Sequence, residues 1–131
     1  MQKRYWPLLS ILVLLAALAG CGEEPLLTKV SFDRDRITPN ADGDADVLKI
    51  TYSLSRAADV SITFEDQAGS AYTFRDRARR GPSVEQSYEV LFAGVVDGYT
   101  RPNESFDEFV VEKRVLQDGE YVWRVTATDE A

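Results

Sequence analysis

The chain has 131 residues, with 15 basic and 22 acidic side chains for a net charge of −7, a single cysteine and no histidine. An acidic surface of this kind repels nucleic acid and anionic head groups. The missing histidine removes the commonest general base and zinc ligand, and a lone cysteine excludes an intrachain disulfide.

At the N-terminus, Lys3 and Arg4 precede residues 8–19, an apolar run interrupted only by Ser10. A spanning helix needs about 20 apolar residues, so this run has the length of a signal peptide. It ends in Leu18-Ala19-Gly20-Cys21. These four residues resemble the lipobox of bacterial lipoproteins, where a leucine, two small residues and a cysteine mark the cleavage point and the lipidated thiol. The resemblance implies that residues 1–20 are a lipoprotein signal peptide, that Cys21 is the lipidation site and that residues 21–27 are a lipidated tether. The expected address is extracytoplasmic, lipid-anchored to a bacterial membrane. Each buried methylene contributes about 0.8 kcal/mol, so the two or three acyl chains that such proteins carry hold lastingly where one does not. The other reading is an uncleaved N-terminal anchor helix, which places the domain on the same side of the membrane. Cleavage would remove Lys3 and Arg4 and move the net charge from −7 to −9.

Next along the chain, Asn40, Asp42, Asp44 and Asp46 alternate with small residues. Carboxylates at this spacing in a tight loop are candidate calcium ligands, since calcium takes six to eight oxygens in irregular geometry. An EF-hand is excluded: counting from Asn40, its glycine and glutamate positions hold Ala45 and Thr51. The alternative is a plain turn, because Pro39, Asn40, Asp42 and Gly43 are turn formers and Asp and Asn side chains bond to their own backbone.

Period-two patterns follow. Leu48, Ile50, Tyr52 and Leu54 alternate with Lys49, Thr51 and Ser53 over 47–54; Val60, Ile62 and Phe64 alternate with polar residues over 58–65; Tyr72 and Phe74 do so over 71–75. These predict half-buried antiparallel strands, separated by turn residues at 55–58, 67–70 and 81–83. Arg75, Arg77, Arg79 and Arg80 form a basic cluster that the pattern places in a loop over 75–83, either as a solvated connection or as an anion or partner contact. Residues 93–107 read as a long connection, a feature uncommon in compact domains and often functional. Tyr99, Arg101 and Phe106 are its candidate partner-contact residues. The β-branched stretch 108–116 predicts a strand rather than a helix. After the Asp118-Gly119 turn, Tyr121, Trp123, Val125 and Ala127 mark a last strand over 120–127, with Trp123 expected in the core. Turns at roughly ten-residue spacing suggest an immunoglobulin-type sandwich.

Two segments carry a further resemblance. Ile37-Thr38-Pro39-Asn40-Ala41-Asp42-Gly43-Asp44-Ala45-Asp46, followed by Leu48 to Ser55, resembles the opening of FlgD-like immunoglobulin domains; Val115 to Asp129 resembles their "V-P-D-G-x-Y-x-Y-x-I-x-A-x-D" strand. Between them the chain departs from the family, with Phe92-Ala93-Gly94 and an insertion where a "W-D-G" and a short turn are usual. The resemblance implies an all-β, immunoglobulin-like antiparallel β-sandwich over residues 28–131, preceded by the cleaved signal peptide. It speaks to architecture more than to activity.

Catalysis is not expected. There is no histidine, no free thiol once Cys21 is lipidated and no glycine-rich phosphate loop; a paired-carboxylate hydrolase would need Asp97, Glu104 or Asp107 to converge in a cleft. The sequence therefore points to a non-enzymatic structural or interaction module of the cell envelope. Its expected partners are the membrane, through the lipid, and an envelope protein or carbohydrate. The alternative is a ligand-binding lipoprotein that uses the 92–107 loop and is stabilised by calcium.

Overall fold

The computed structural model describes residues 22–83, 85–101, 104 and 112–129. The leader, Cys21, Phe106, Asp107 and residues 108–111 of the strand predicted over 108–116 lie outside the described residues. Among those described there is no helix. The strands are β1 (Leu27–Phe32), β2 (Leu48–Leu54), β3 (Ala58–Glu65), β4 (Ala71–Arg80), β5 (Tyr88–Phe92), β6 (Val95–Asp97), β7 (Lys113–Val115) and β8 (Val122–Thr128). They pair in three antiparallel sheets of order β1-β2-β5, β4-β3-β8 and β6-β7.

The fold follows from β2 and β3. Each has a neighbour on both edges and one apolar face, which must find cover. Leu48, Ile50, Tyr52 and Leu54 of β2 and Val60, Ile62 and Phe64 of β3 are buried in a single core. Aromatic rings join the two larger sheets. Phe92 of β5 stacks on Phe64 of β3 at 4.3 Å and meets the edge of Phe74 of β4 at 4.9 Å. Two polar side chains enter this core satisfied: Ser53 Oγ lies 2.6 Å from Ser87 Oγ, and Ser83 Oγ accepts the Leu54 N–H at 2.9 Å.

The strands give the molecule two ends. The start of β1, the 55–57 turn and the finish of β4 lie at one end, because Leu27 pairs with Leu54 and Ala58 with Arg80. The 33–47 loop, the 66–70 turn and the β6-β7 pair lie at the other.

Several expectations are corrected. Arg75 to Arg80 are not a loop: β4 continues to Arg80 because β3 offers it a partner back to Ala58. A bulge absorbs the mismatch; Arg77 adopts φ 42° and its N–H donates to Ser61 Oγ at 3.0 Å. The connection 93–107 is not wholly irregular, since Val95–Asp97 form β6 and pair with β7. Leu27 opens β1 and Leu26 packs on the core, so the fold begins within the last residues of the 21–27 stretch. Trp123 is not core. It has the inward phase of Val125 and Ala127, opposite Phe64, but β8 borders its sheet and leaves the indole 45 % exposed, stacked on Phe32 at 4.1 Å.

Phe92 is the buried aromatic contact between the two larger sheets. Phe92→Ala is expected to destabilise the fold by about 3–5 kcal/mol, read as a lower urea midpoint at unchanged slope. Leu91→Ala, on the exposed side of the same strand, should stay within about 0.5 kcal/mol of wild type.

Candidate functional site

The aspartate-rich loop is organised around its own carboxylate. Asp46 Oδ1 accepts the N–H groups of Asn40 (3.1 Å) and Ala41 (2.9 Å), and Oδ2 accepts that of Gly43 (2.7 Å). Asn40 Oδ1 accepts from Asp42 N–H at 3.2 Å, and Asp42 Oδ1 from Asp44 N–H at 2.8 Å. Ala41 and Ala45 are held at φ 61° and 50°, a left-handed conformation that L residues other than glycine adopt at a cost of about 1–2 kcal/mol. The concavity of N–H groups is an anion nest, and Asp46 fills it. Both Asp46 carboxylate oxygens are thus engaged by backbone, and Asn40 Oδ1 and Asp42 Oδ1 each hold one N–H of the loop. Among the described residues no group of three or more acidic, histidine or cysteine side chains is placed to hold a metal ion.

The long connection docks beside this loop. Gly94 takes φ 81°, and a Cβ there would meet Pro39 Cγ at 3.2 Å. From Gly94 the chain turns into β6, and Leu116 N–H returns to the Gly94 carbonyl at 2.8 Å. Arg114 of β7 is the hub. Its two terminal nitrogens grip both carboxylate oxygens of Glu104 at 2.5 Å each, one also donates to the Tyr99 carbonyl at 3.1 Å, and the guanidinium sits 5.4 Å from the Tyr99 ring centre. Such a forked pair fixes direction as well as charge. The Arg101 N–H adds a third bond to Glu104, at 3.1 Å. Hydrogen bonding from Arg114 holds the Glu104 carboxyl below the usual carboxylate range, and the same bonds raise Arg114.

Three tyrosines close the site from below. Tyr72 meets Tyr99 edge-on at 4.8 Å and Tyr121 at 6.0 Å. Every hydroxyl has an acceptor: Tyr72 on Asp66 Oδ2 (2.9 Å), Tyr99 on the Val115 carbonyl (2.8 Å) and Tyr121 on the Gln117 carbonyl (2.7 Å). Asp66 also accepts the N–H groups of Ala68 and Ser70, which ties the β3-β4 turn. These donors lower its pKa, the Ser70 backbone bond most, and the Tyr72 hydroxyl is raised in return.

Of the candidate contact residues, Tyr99 is half-buried cement, and Arg101 is half-buried with its Nε lacking a hydrogen-bond partner among the described residues. The acids in the connection separate: Asp97 pairs with Lys113 and Glu104 with Arg114. The arginines of β4 are mostly engaged. Arg75 lies over the Phe74 ring at 4.1 Å and Arg79 pairs with Asp59 at 3.3 Å. Sequence reasoning missed Arg114 and Asp66. The Gln67–Ser70 turn signal sits next to Asp66, whereas nothing local marks Arg114, whose partner lies ten residues away.

Glu104→Gln is expected to lower the melting temperature at neutral pH. A carboxyl with a depressed folded pKa stabilises above its unfolded value and loses that contribution as pH falls through the folded one. The gap between wild type and Glu104→Gln should therefore close in acid, as followed by circular-dichroism melts across pH. Asp46→Ala should likewise lower the melting temperature more than Asp44→Ala, since three N–H groups lose their acceptor. No protein-family model, no curated protein and no solved structure matches this chain.

Proposed function

We propose that this protein is a lipid-anchored extracytoplasmic module of a bacterial envelope, non-enzymatic, with an immunoglobulin-type sandwich that serves as a structural or interaction element. The address rests on the Leu18–Cys21 pattern. The architecture is supported by the sheet orders β1-β2-β5 and β4-β3-β8, which follow the A-B-E and C′-C-F strands of such domains. A second support is Tyr121, whose hydroxyl reaches back four residues to a carbonyl just before β8, as the tyrosine corner does.

The observation that carries the functional reading is the state of the reactive side chains. Asp97 and Glu104 of the long connection are held by cations, the three tyrosine hydroxyls by carbonyls or a carboxylate, and Asp46 by backbone. Each is engaged in holding geometry. A carbohydrate platform needs an open ring face with a polar partner; Tyr99 packs its ring against Tyr72 instead. The alternative site on residues 92–107 thus loses its main aromatic.

The anchor sets an orientation. Between Cys21 and Leu26 the extended chain spans at most about 18 Å. Leu26 accepts from Ser55 at the end of β2, so the 55–57 turn faces the bilayer and the aspartate loop and Arg114 hub point away.

Cells fed labelled palmitate are expected to incorporate label into the wild type and not into Cys21→Ser. Incorporation that survives the substitution would remove the anchor from this reading.

A further inference from the structure

Among the described residues, four strands border the two larger sheets: β1 and β5 in one, β4 and β8 in the other. A border strand presents unpaired N–H and C=O groups that template another strand, and proteins blunt such borders with bulges, charges or shortness. Three borders here are blunted. β1 has a register break between Thr28 and Ser31, with Lys29 at φ 53°. β4 is bulged at Arg77 and lined with arginines. β5 has five residues, and its Glu89 lies 3.8 Å from Lys49.

β8, seven residues long, has no bulge and carries a single charge, Arg124. It pairs with β3 residue for residue from Thr128 to Val122 without a break, and it contains no proline and no acid. Val122 is 69 % exposed, and Trp123 beside it lies open. Arg124 stands mid-strand on the outer face, next to Thr63, with no ion pair among the described residues.

We propose that the open edge of β8 receives an extended strand from a partner polypeptide, with apolar side chains covering Trp123 and a carboxylate facing Arg124. Strand addition of this kind takes affinity from main-chain hydrogen bonds and specificity from alternate side chains. The charge argues for a partner rather than a second copy. β8 has no acid to offer, and antiparallel pairing about Val125 sets each Arg124 against Thr126. The position fits the sandwich reading above, on which this proposal rests: beyond the C′-C-F order lies the place of a further strand.

The test uses the full chain in mild detergent and a synthetic probe, about nine residues of alternating valine and threonine with a central glutamate. Hydrogen exchange at the β8 amides that face away from β3 is expected to slow by about ten-fold or more with the probe. A probe N-methylated on the amides facing β8 should have no effect. Arg124→Glu should weaken the glutamate probe about five-fold, the size of a single exposed ion pair, and should favour a lysine-centred probe. Unchanged exchange, outward-facing β8 amides already slow in the free chain, equal effects of the methylated probe, or slowing with protein concentration alone would each overturn the proposal; the last would assign the edge to a second copy. Palmitate labelling reports the address separately. Lost labelling with β8 protection intact removes the anchor and leaves the edge, and the converse removes only the edge.

Discussion

The packing of β2 against β3 is the constraint from which the rest follows. Both strands run through sheet centres, and both carry a continuous row of buried aliphatic and aromatic side chains, from Ile50 and Leu54 to Val60 and Ile62. A row of this kind has no stable position in water, where each buried large side chain forfeits about 1.5–3 kcal/mol. The two rows meet, and the neighbouring strands are then placed by hydrogen bonding to β2 and β3. Phe92, from the border of one sheet, fills the space against Phe64 and Phe74 of the other, so an edge residue completes the core.

Charge works at shorter range and for a different purpose. The chain is strongly acidic, yet its best-organised carboxylates do not face solvent partners. Asp46 fills a nest of backbone N–H groups, Asp66 ties a turn and a tyrosine, and Glu104 is clamped by Arg114. Each fixes a segment that lacks the regular ladder of a sheet. Backbone donors outside ladders must still be paired, and ionised acceptors pair them more strongly than neutral ones.

The borders show how unevenly a fold treats equivalent positions. Bulges and arginines make β1 and β4 poor templates, whereas β8 remains straight and apolar at its start. Trp123 shows the consequence. Its cross-strand neighbour on the sheet is Phe64, and its only stacking partner from the facing sheet is Phe32 among the described residues. The proposed strand would cover the side that these leave open.

Much of this was legible in the amino-acid order. Period two is a local property, because successive side chains on an extended chain point to opposite faces; it located β2, β3 and β8 and assigned their inward residues. Turn residues placed the breaks near Ser55, Gly69 and Asp118 for the same local reason. Coverage is not local. Whether the inward face of Trp123 is buried depends on what lies beside β8, and whether Arg75 to Arg80 form a strand depends on how far β3 extends alongside them. The aspartate loop shows both levels: its composition fixed a turn, while only the folded backbone determined that Asp46 would turn inward as an acceptor of backbone N–H groups. Arg114 and Glu104 meet because β6 and β7 pair, a long-range event that leaves no periodic trace in the chain.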